Sequence, residues 1–332
     1  MRAIWYERNG PAHEVLQFGE LPDPSPGRRE VRIRVAYSGV NPSDVKRRSG
    51  WGTNRMDFPR IIPDNDGAGI IDQVGPGVDA ARLGERVWAH STAYRKAFGT
   101  AAEYAVVPSK NALRLPDAVS FELGAGLGVP ALTAHACVHA HGNPRGTTVL
   151  VTGGAGSVGA CAIQLAKFAG ARVVASVSSA EKGDVARAAG ADDVVDYRRE
   201  DVIERVLELT AKKGVDHLIA VDFAAQLPLL TAALKQNGSV STYASMSNPE
   251  PLLPFYKLMV RNLRLRLVYV YELSRSDFGK AYRDIGSWLM SGRAHQRVAR
   301  VFDLKDAADA HALAEQGPVG KVLIKVGGDL RP

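Results

Sequence analysis

The sequence predicts an α/β chain of two parts: a doubly wound parallel sheet, and a second part of short strands that is β-rich and barrel-like. Three observations carry this. From about residue 147 to 269, β-branched apolar runs alternate with amphipathic helical patterns, which marks a parallel sheet covered on both faces. The first 120 residues instead hold short strand-like runs divided by Pro and Gly, and the C-terminal residues return to that style. At the head of the alternating region, TTVLVTGGAGSVG (147–159) runs from a β-prone stretch through a glycine cluster into a helical pattern.

Taken in order, strand-like runs fall at 31–35, 68–74, 86–89 and 101–107. They are punctuated by turn sequences such as LPDPSPG (21–27) and VGPG (74–77). A strand over 149–152 leads into a helix over 158–169, and a second strand follows at 172–177. Gly190 reads as the C-terminal cap of the next helix. A short strand at 194–195, a helix over 202–209 and a buried strand over 215–221 come next. A helix over 227–234, closed by Asn237-Gly238, precedes the last two strands of this region at 239–243 and 263–270. A helix over 277–290, a strand at 298–303, a short helix and a strand at 320–326 complete the chain. There are no repeats or low-complexity tracts.

Gly154-x-Gly156-x-x-Gly159 has the spacing of a dinucleotide fingerprint, with a strand before it and a helix after it. In that reading Gly154 permits the tight turn, Gly156 lets the backbone approach a pyrophosphate, and Gly159 lets helix and strand pack closely. Gly153, Gly154, Ala155, Gly156, Ser157, Val158 and Gly159 form the candidate cradle, with the helix N-terminus offering N–H groups to phosphate. The competing reading is a glycine-rich turn with no ligand, and the flanking pattern favours the site. The next strand selects the dinucleotide. An NAD site places Asp or Glu at its tip for the ribose 2′-OH. Here Ser176, Ser178 and Ser179 stand there, followed by Lys182. Hydroxyls and an ammonium suit a 2′-phosphate, which favours NADPH over NADH. The serines also suit a plain helix cap, and both roles are compatible.

Composition narrows the class. The chain has 332 residues, 45% hydrophobic and 23% charged, enough for two domains with their own cores. Its two cysteines, Cys137 and Cys161, exclude a disulfide framework and a cysteine-rich metal site. The opening MRAIWYERNG lacks the apolar core of a signal peptide, and no run is long enough to cross a bilayer. These features predict a cytoplasmic protein with no membrane partner. The net charge of +7 reads first as solvated arginine and second as attraction for an anionic ligand. No nucleic-acid module is present, so no nucleic-acid partner is expected.

Several further segments carry a family resemblance. Gly39-Val40-Asn41-Pro42-Ser43-Asp44 resembles an active-site segment of the medium-chain dehydrogenase/reductase superfamily, in its quinone oxidoreductase group with zeta-crystallin. Pro63-Asp64-Asn65-Asp66-Gly67-Ala68-Gly69 is similar to that group's PGxDxAG segment, with Asp64 in place of the usual glycine. Val129-Pro130-Ala131-Leu132-Thr133-Ala134 resembles its helix start beside the nicotinamide. The glycine loop, Gly190-Ala191-Asp192 and Gly320-Lys321-Val322 follow in the same order. The resemblance covers nearly the whole chain. It implies a GroES-like catalytic domain from 1–125 and 273–332, a Rossmann NADP-binding domain over 126–272, a cleft between them, and a homodimer. The alternating LRLRLVYV (263–270) suits sheet pairing between subunits. It further implies cofactor contacts at Thr133, Tyr197, Ser245, Tyr269, Val270 and Lys321.

Zinc-dependent relatives carry Cys where Asn41 stands and a His-Glu pair where Asn65-Asp66 stands, so no catalytic metal is expected. His135-Ala-Cys137-Val-His139-Ala-His141 has i,i+4 histidines, but the resemblance places a packing helix there, and that reading is preferred. Candidate catalytic residues are Asn41, Asp44, Lys46 and Asp66. Asn41 would donate to a substrate oxygen, Asp44 would brace the loop, and Lys46 would stabilise an enolate or hydroquinone anion. Trp51 stands near the position where enoyl thioester reductases place a proton-donating Tyr, and an indole N–H is not a useful acid. The predicted activity is NADPH-dependent reduction of small quinones. Reduction of enones or enoyl substrates stays open as an alternative, as does a non-catalytic NADPH-binding scaffold of crystallin-like or RNA-binding type.

Overall fold

A computed structural model describes residues 1–52, 55–327 and 330. The chain divides into two compact units, Met1–Val129 with Leu289–Pro332, and Pro130–Trp288. The helix Arg275–Met290 falls mostly within the second unit, whereas the sequence-based boundary sets it in the catalytic domain. A hydrogen bond and an ion pair explain the placement: Asp284 meets His135 at 2.8 Å and Asp277 meets Arg266 at 2.9 Å.

The first unit is built on a seven-stranded sheet. Its path runs Val298–Asp303, Lys321–Lys325, Glu30–Val40, Asp66–Val74, Arg86–Ala89 and Ala112–Arg114, with Tyr104–Pro108 also paired to Glu30–Val40. All pairings are antiparallel except that of Val298–Asp303 with Lys321–Lys325. The long central strand Glu30–Val40 alternates inward apolar side chains, and Val31, Ile33 and Val35 pack with Ile71, Val87 and Ile324. The helix Pro42–Ser49 leaves this strand. Its sequence explains its ends: Pro42 supplies a preset first turn, and Gly50 closes it at φ 78°. Buried Arg48 fastens it by donating to the Gly10 carbonyl and pairing with Glu315 of the helix Ala307–Glu315.

The second unit is a six-stranded, wholly parallel sheet. Its order is Asp193–Asp196, Arg172–Val177, Thr148–Thr152, Val215–Ala220, Leu234–Thr242 and Arg264–Leu267. In chain order this is 3-2-1-4-5-6, the doubly wound arrangement whose halves meet at the first strand. Leu150, Val174, Val195, Leu218 and Val240 fill its core with Val206 and Leu230 from helices.

Most elements lie where the sequence pattern puts them, and three differ. The helix predicted over 227–234 is Phe223–Ala232, with Pro228 inside it. The strand Leu234–Thr242 runs straight through Asn237-Gly238, which forms an irregularity in the ladder, with Asn237 at φ 62°, and not a helix stop. The final strand covers only Arg264–Leu267. Val268 N–H still donates to Thr242 O at 2.8 Å, and the chain then turns through Val270–Glu272. Among the described residues no helix is long and apolar enough to cross a membrane.

The glycine loop shows which glycine serves which purpose. Gly153 makes the turn at φ 66°, so the tight-turn role predicted for Gly154 belongs one residue earlier. Gly154 is needed because a Cβ there would lie 2.9 Å from that of Ala175. A Cβ on Gly159 would lie 2.2 Å from the Gly153 carbonyl oxygen, while one on Gly156 meets nothing closer than 3.4 Å. Gly159→Ala is therefore expected to destabilise the protein by about 2 kcal/mol or more in urea denaturation. Gly156→Ala is expected to cost no more than about 1 kcal/mol, the loss of a tolerant helix-cap residue. Equal effects would show that helix and strand do not touch through Gly159.

Candidate active site

The first unit holds a buried polar network at the start of the helix Pro42–Ser49. Asn41, Asp44, Asp64, Asn65, Asp66 and Lys321 are each at most 4% exposed. Asp44 sits three residues into the helix and reaches back to accept the Asn41 backbone N–H at 2.9 Å, half of a capping box. Its other oxygen accepts from Asn65 Nδ2 at 2.6 Å. Asp66 accepts the Val129 N–H on both oxygens at 2.9 Å, and the Asn41 amide at 2.7 Å. Lys321 Nζ donates to Asn41 Oδ1 at 2.5 Å and lies 3.6 Å from Asp66.

This arrangement gives partners within the protein to two residues that the sequence assigns to ligands. Asn41, predicted to present its amide to a substrate, spends its oxygen on Lys321 and its nitrogen on Asp66. Lys321, predicted to touch the cofactor, is 2% exposed and neutralises buried carboxylates instead. Asp66, and at longer range Asp44, feel this ammonium. Burial, with Asp64 and Asp66 close by, pushes the Asp44 carboxyl up to about 8. Burial also raises Asp66, against the pull of Lys321. Lys46 lies outside the network, half-buried on the same helix, with its ammonium 4.8 Å from the centre of the exposed Trp51 ring. Desolvation lowers its pKa.

The sequence reading passed over Asp64 and its partners. Asp64 takes φ 74°, the backbone shape that a glycine adopts freely, at the position where the resembled segment has glycine. Its side chain accepts from Ser38 Oγ at 2.9 Å and stands 3.1 Å from His311 Nε2. The departure from the glycine pattern was the only signal available in sequence.

The second unit places the remaining candidates. Gly156 is exposed and caps the helix Ser157–Phe168, whose first N–H groups therefore open outward past a residue with no side chain. Gly154 N–H donates to Ser176 O at 3.1 Å, which ties the loop to the next strand. At that strand's end Lys182 Nζ donates to Ser178 Oγ at 3.0 Å, and Ser179 Oγ caps the helix by accepting the Lys182 N–H at 3.3 Å. The helix cap is formed, and it leaves the Ser178–Lys182 pair compatible with the anion reading. Tyr197, 52% exposed, follows the neighbouring strand and bonds through its N–H to Val177 O. Ser245 accepts the Ala224 N–H and donates to Asn248 O. Tyr269 is exposed, while Val270 and Thr133 are buried. An open glycine cradle, a helix N-terminus and a hydroxyl-ammonium pair without an acid at the strand tip fit a dinucleotide that carries a 2′-phosphate.

A parallel sheet with this cradle in one unit, and a strand-rich unit holding a buried acid network, define a dinucleotide-binding oxidoreductase. Comparison with known proteins agrees. The family described as alcohol dehydrogenase GroES-like domain matches residues 27–117, and that described as zinc-binding dehydrogenase matches residues 157–286. A quinone oxidoreductase of Lama guanicoe is 30% identical over 98% of this chain and 97% of its own length. A 2-haloacrylate reductase of a Burkholderia species is 28% identical over 94% of each. The structure of an Escherichia coli quinone oxidoreductase complexed with NADPH is 27% identical, covers 98% of this chain and all of its own, and superposes with a TM-score of 0.84. The chain belongs to the medium-chain dehydrogenase/reductase superfamily, in its quinone oxidoreductase group.

The buried acids generate a pH prediction. Asp44 moves from an ordinary value of 3.8 up to about 8 on folding. The native state then holds a proton that the unfolded chain releases, so this contribution is complete below about pH 4 and declines as pH rises toward 8. Buried His90, His139 and His217, held below their ordinary value by burial, contribute stability that grows up to about pH 6.5, so Asp44 is read from the difference between wild type and Asp44→Asn. The wild type should lose urea midpoint relative to Asp44→Asn as pH rises from 5 to 8, and a difference that does not change with pH would mean that Asp44 is ionised throughout.

Proposed function

We propose that this protein is an NADPH-dependent quinone oxidoreductase that works without a catalytic zinc. The observation that carries the reading is the state of the two side chains standing where zinc-dependent relatives have ligands. Asn41 Oδ1 is taken by Lys321, and Asn65 is an amide bonded to Asp44. Neither offers the sulfur, imidazole or carboxylate donor that a catalytic zinc needs. Asp66, the third position, is enclosed by Val129, Asn41 and Lys321. These residues do not fit the metal, and no step is assigned to it.

When bound, NADPH supplies the hydride. The glycine loop from Gly153 to Gly159 holds the pyrophosphate, and Ser178 with Lys182 holds the 2′-phosphate. Asn41, Asp44, Asp66 and Lys321 are positioning residues that fix the backbone of the Asn41-Pro42-Ser43-Asp44 segment. Lys46 is the proposed catalytic residue: its ammonium stabilises the oxygen that gains charge as the acceptor is reduced, with a lowered pKa that eases proton donation from Nζ. An electron-poor quinone needs little further activation, so positioning supplies most of the rate. The 2-haloacrylate reductase relative favours a second reading, reduction of an activated double bond, in which the same ammonium would meet an enolate.

We also infer a homodimer. The edge strand Arg264–Leu267 exposes Leu265 and Leu267, and Phe255, Tyr256 and Val260 are exposed on the segment before it. Apolar side chains at this density on a sheet edge call for a partner.

Three expectations follow from these readings. Lys182→Ala should weaken NADPH by about tenfold or more while leaving NADH nearly unchanged, since a charge-assisted phosphate contact is lost. Fluorescence titration with both cofactors reads this, and equal losses would remove the 2′-phosphate assignment. Purified enzyme should oxidise NADPH with benzo- and naphthoquinones, keep that rate after chelator treatment, and act slowly or not at all on simple alcohols. Rapid turnover of enones or haloacrylates with no quinone activity would favour the second reading. Sedimentation velocity should find a dimer in the wild type and monomer in Leu267→Glu, and a monomeric wild type would end the dimer inference.

A further inference from the structure

The second unit gathers three metal-ligating side chains that have no place in the chemistry above. His135 lies on the helix Gly128–Val138 and His139 one turn further along, its N–H bonded to the His135 carbonyl at 3.0 Å. Their rings stack with centroids 4.4 Å apart. Asp284 reaches them from the helix Arg275–Met290. One carboxylate oxygen, Oδ2, is 2.8 Å from His135 Nε2 and 4.0 Å from His139 Nε2. Donor atoms from the three residues all lie within 4.8 Å of one another.

We propose that His135, His139 and Asp284 form a binding site for a borderline divalent transition-metal ion, with Zn²⁺ as its natural occupant. Two imidazoles and one carboxylate are a known donor set for zinc, with water at the fourth position. Ligand atoms about 2.1 Å from a tetrahedral ion stand about 3.4 Å apart. The separations here run from 2.8 Å to at most 4.8 Å, so turns of the rings by roughly an ångström bring all three into range. Both rings are largely buried, with side-chain exposures of 3% for His135 and 13% for His139. The ion takes the place of the hydrogen that His135 shares with Asp284, and the ring proton of neutral His135 then resides on Nδ1. Cys137, fully buried between the two histidines in sequence, is not part of the cluster.

One neighbour opposes the ion. Lys280, one turn before Asp284 and 48% exposed, pairs with the same Oδ2. Its ammonium must swing into solvent when metal binds. This gives the site a signature that a merely structural cluster would lack: removing Lys280 should strengthen metal binding.

The test uses full-length protein stripped with chelator. Zn²⁺ is titrated calorimetrically, and Co²⁺ is added while its visible absorption is followed. The wild type is expected to bind one equivalent of each, with the intense bands of a four- or five-coordinate cobalt ion and a rise in Tm. His139→Gln and Asp284→Asn should each weaken binding by about tenfold or more, and Lys280→Gln should tighten it severalfold. His139 is 13% exposed on its side chain, so its substitution spares the core. The proposal is overturned if wild type and Lys280→Gln both fail to bind a stoichiometric ion. It is equally overturned if His139→Gln and Asp284→Asn bind as tightly as the wild type. Neither readout depends on turnover, so the result is independent of the proposed reaction.

Discussion

Asp66 has no solvent exposure, and the parts of the chain that must come together in the first unit do so around its carboxylate. A carboxylate out of water is tolerated only when it is paired and hydrogen-bonded. Here the partners arrive from the Val129 N–H, the Asn41 amide and the Lys321 ammonium, which are 63, 25 and 255 residues away in sequence. A fold that left any of them out would strand a buried charge. The same group therefore joins the segment after strand Glu30–Val40, the start of the helix Gly128–Val138 and the strand Lys321–Lys325. Burial, with Asp64 and Asp66 nearby, raises the Asp44 carboxyl and so favours its neutral form, which limits the charge that Lys321 must offset.

The second unit depends on a different constraint, close approach without side chains. Gly159 lets the helix Ser157–Phe168 sit against the Gly153 carbonyl, and Gly153 can make the turn because φ 66° costs a glycine nothing. That contact aims the helix N-terminus and leaves Gly156 exposed at its mouth. The packing requirement and the ligand requirement are thus met by different glycines of one motif. At the adjoining strand tip, Ser178 and Ser179 divide the labour in the same way, one meeting the Lys182 ammonium and the other capping the helix.

Polar residues in this molecule serve two ends that sequence does not separate. Asn41 stands in a segment that resembles an active site, yet its amide is consumed in holding Lys321 and Asp66. Lys46, five residues later on the same helix, keeps its ammonium by the exposed Trp51. Whether a polar group works on a substrate or on its neighbours is decided by which atoms reach it, and a motif records only that the residue is present.

What the sequence by itself determined were the features governed by local physics. The two periodicities separated a parallel sheet from a strand-rich unit, the glycine spacing located the strand-to-helix turn, and serines in place of an acid at 176, 178 and 179 marked the strand tip. Each depends on residues within a turn or two of one another. The tertiary structure alone decided the rest. It continued the strand Leu234–Thr242 past Asn237-Gly238, where the ladder is interrupted, because pairing resumes on both sides from Ser239 onward. It seated Lys321 beside Asn41, and it carried Asp284 to His135 and His139 across 149 and 145 residues. Burial and long-range pairing set those outcomes, and neither leaves a periodic trace in the residues nearby.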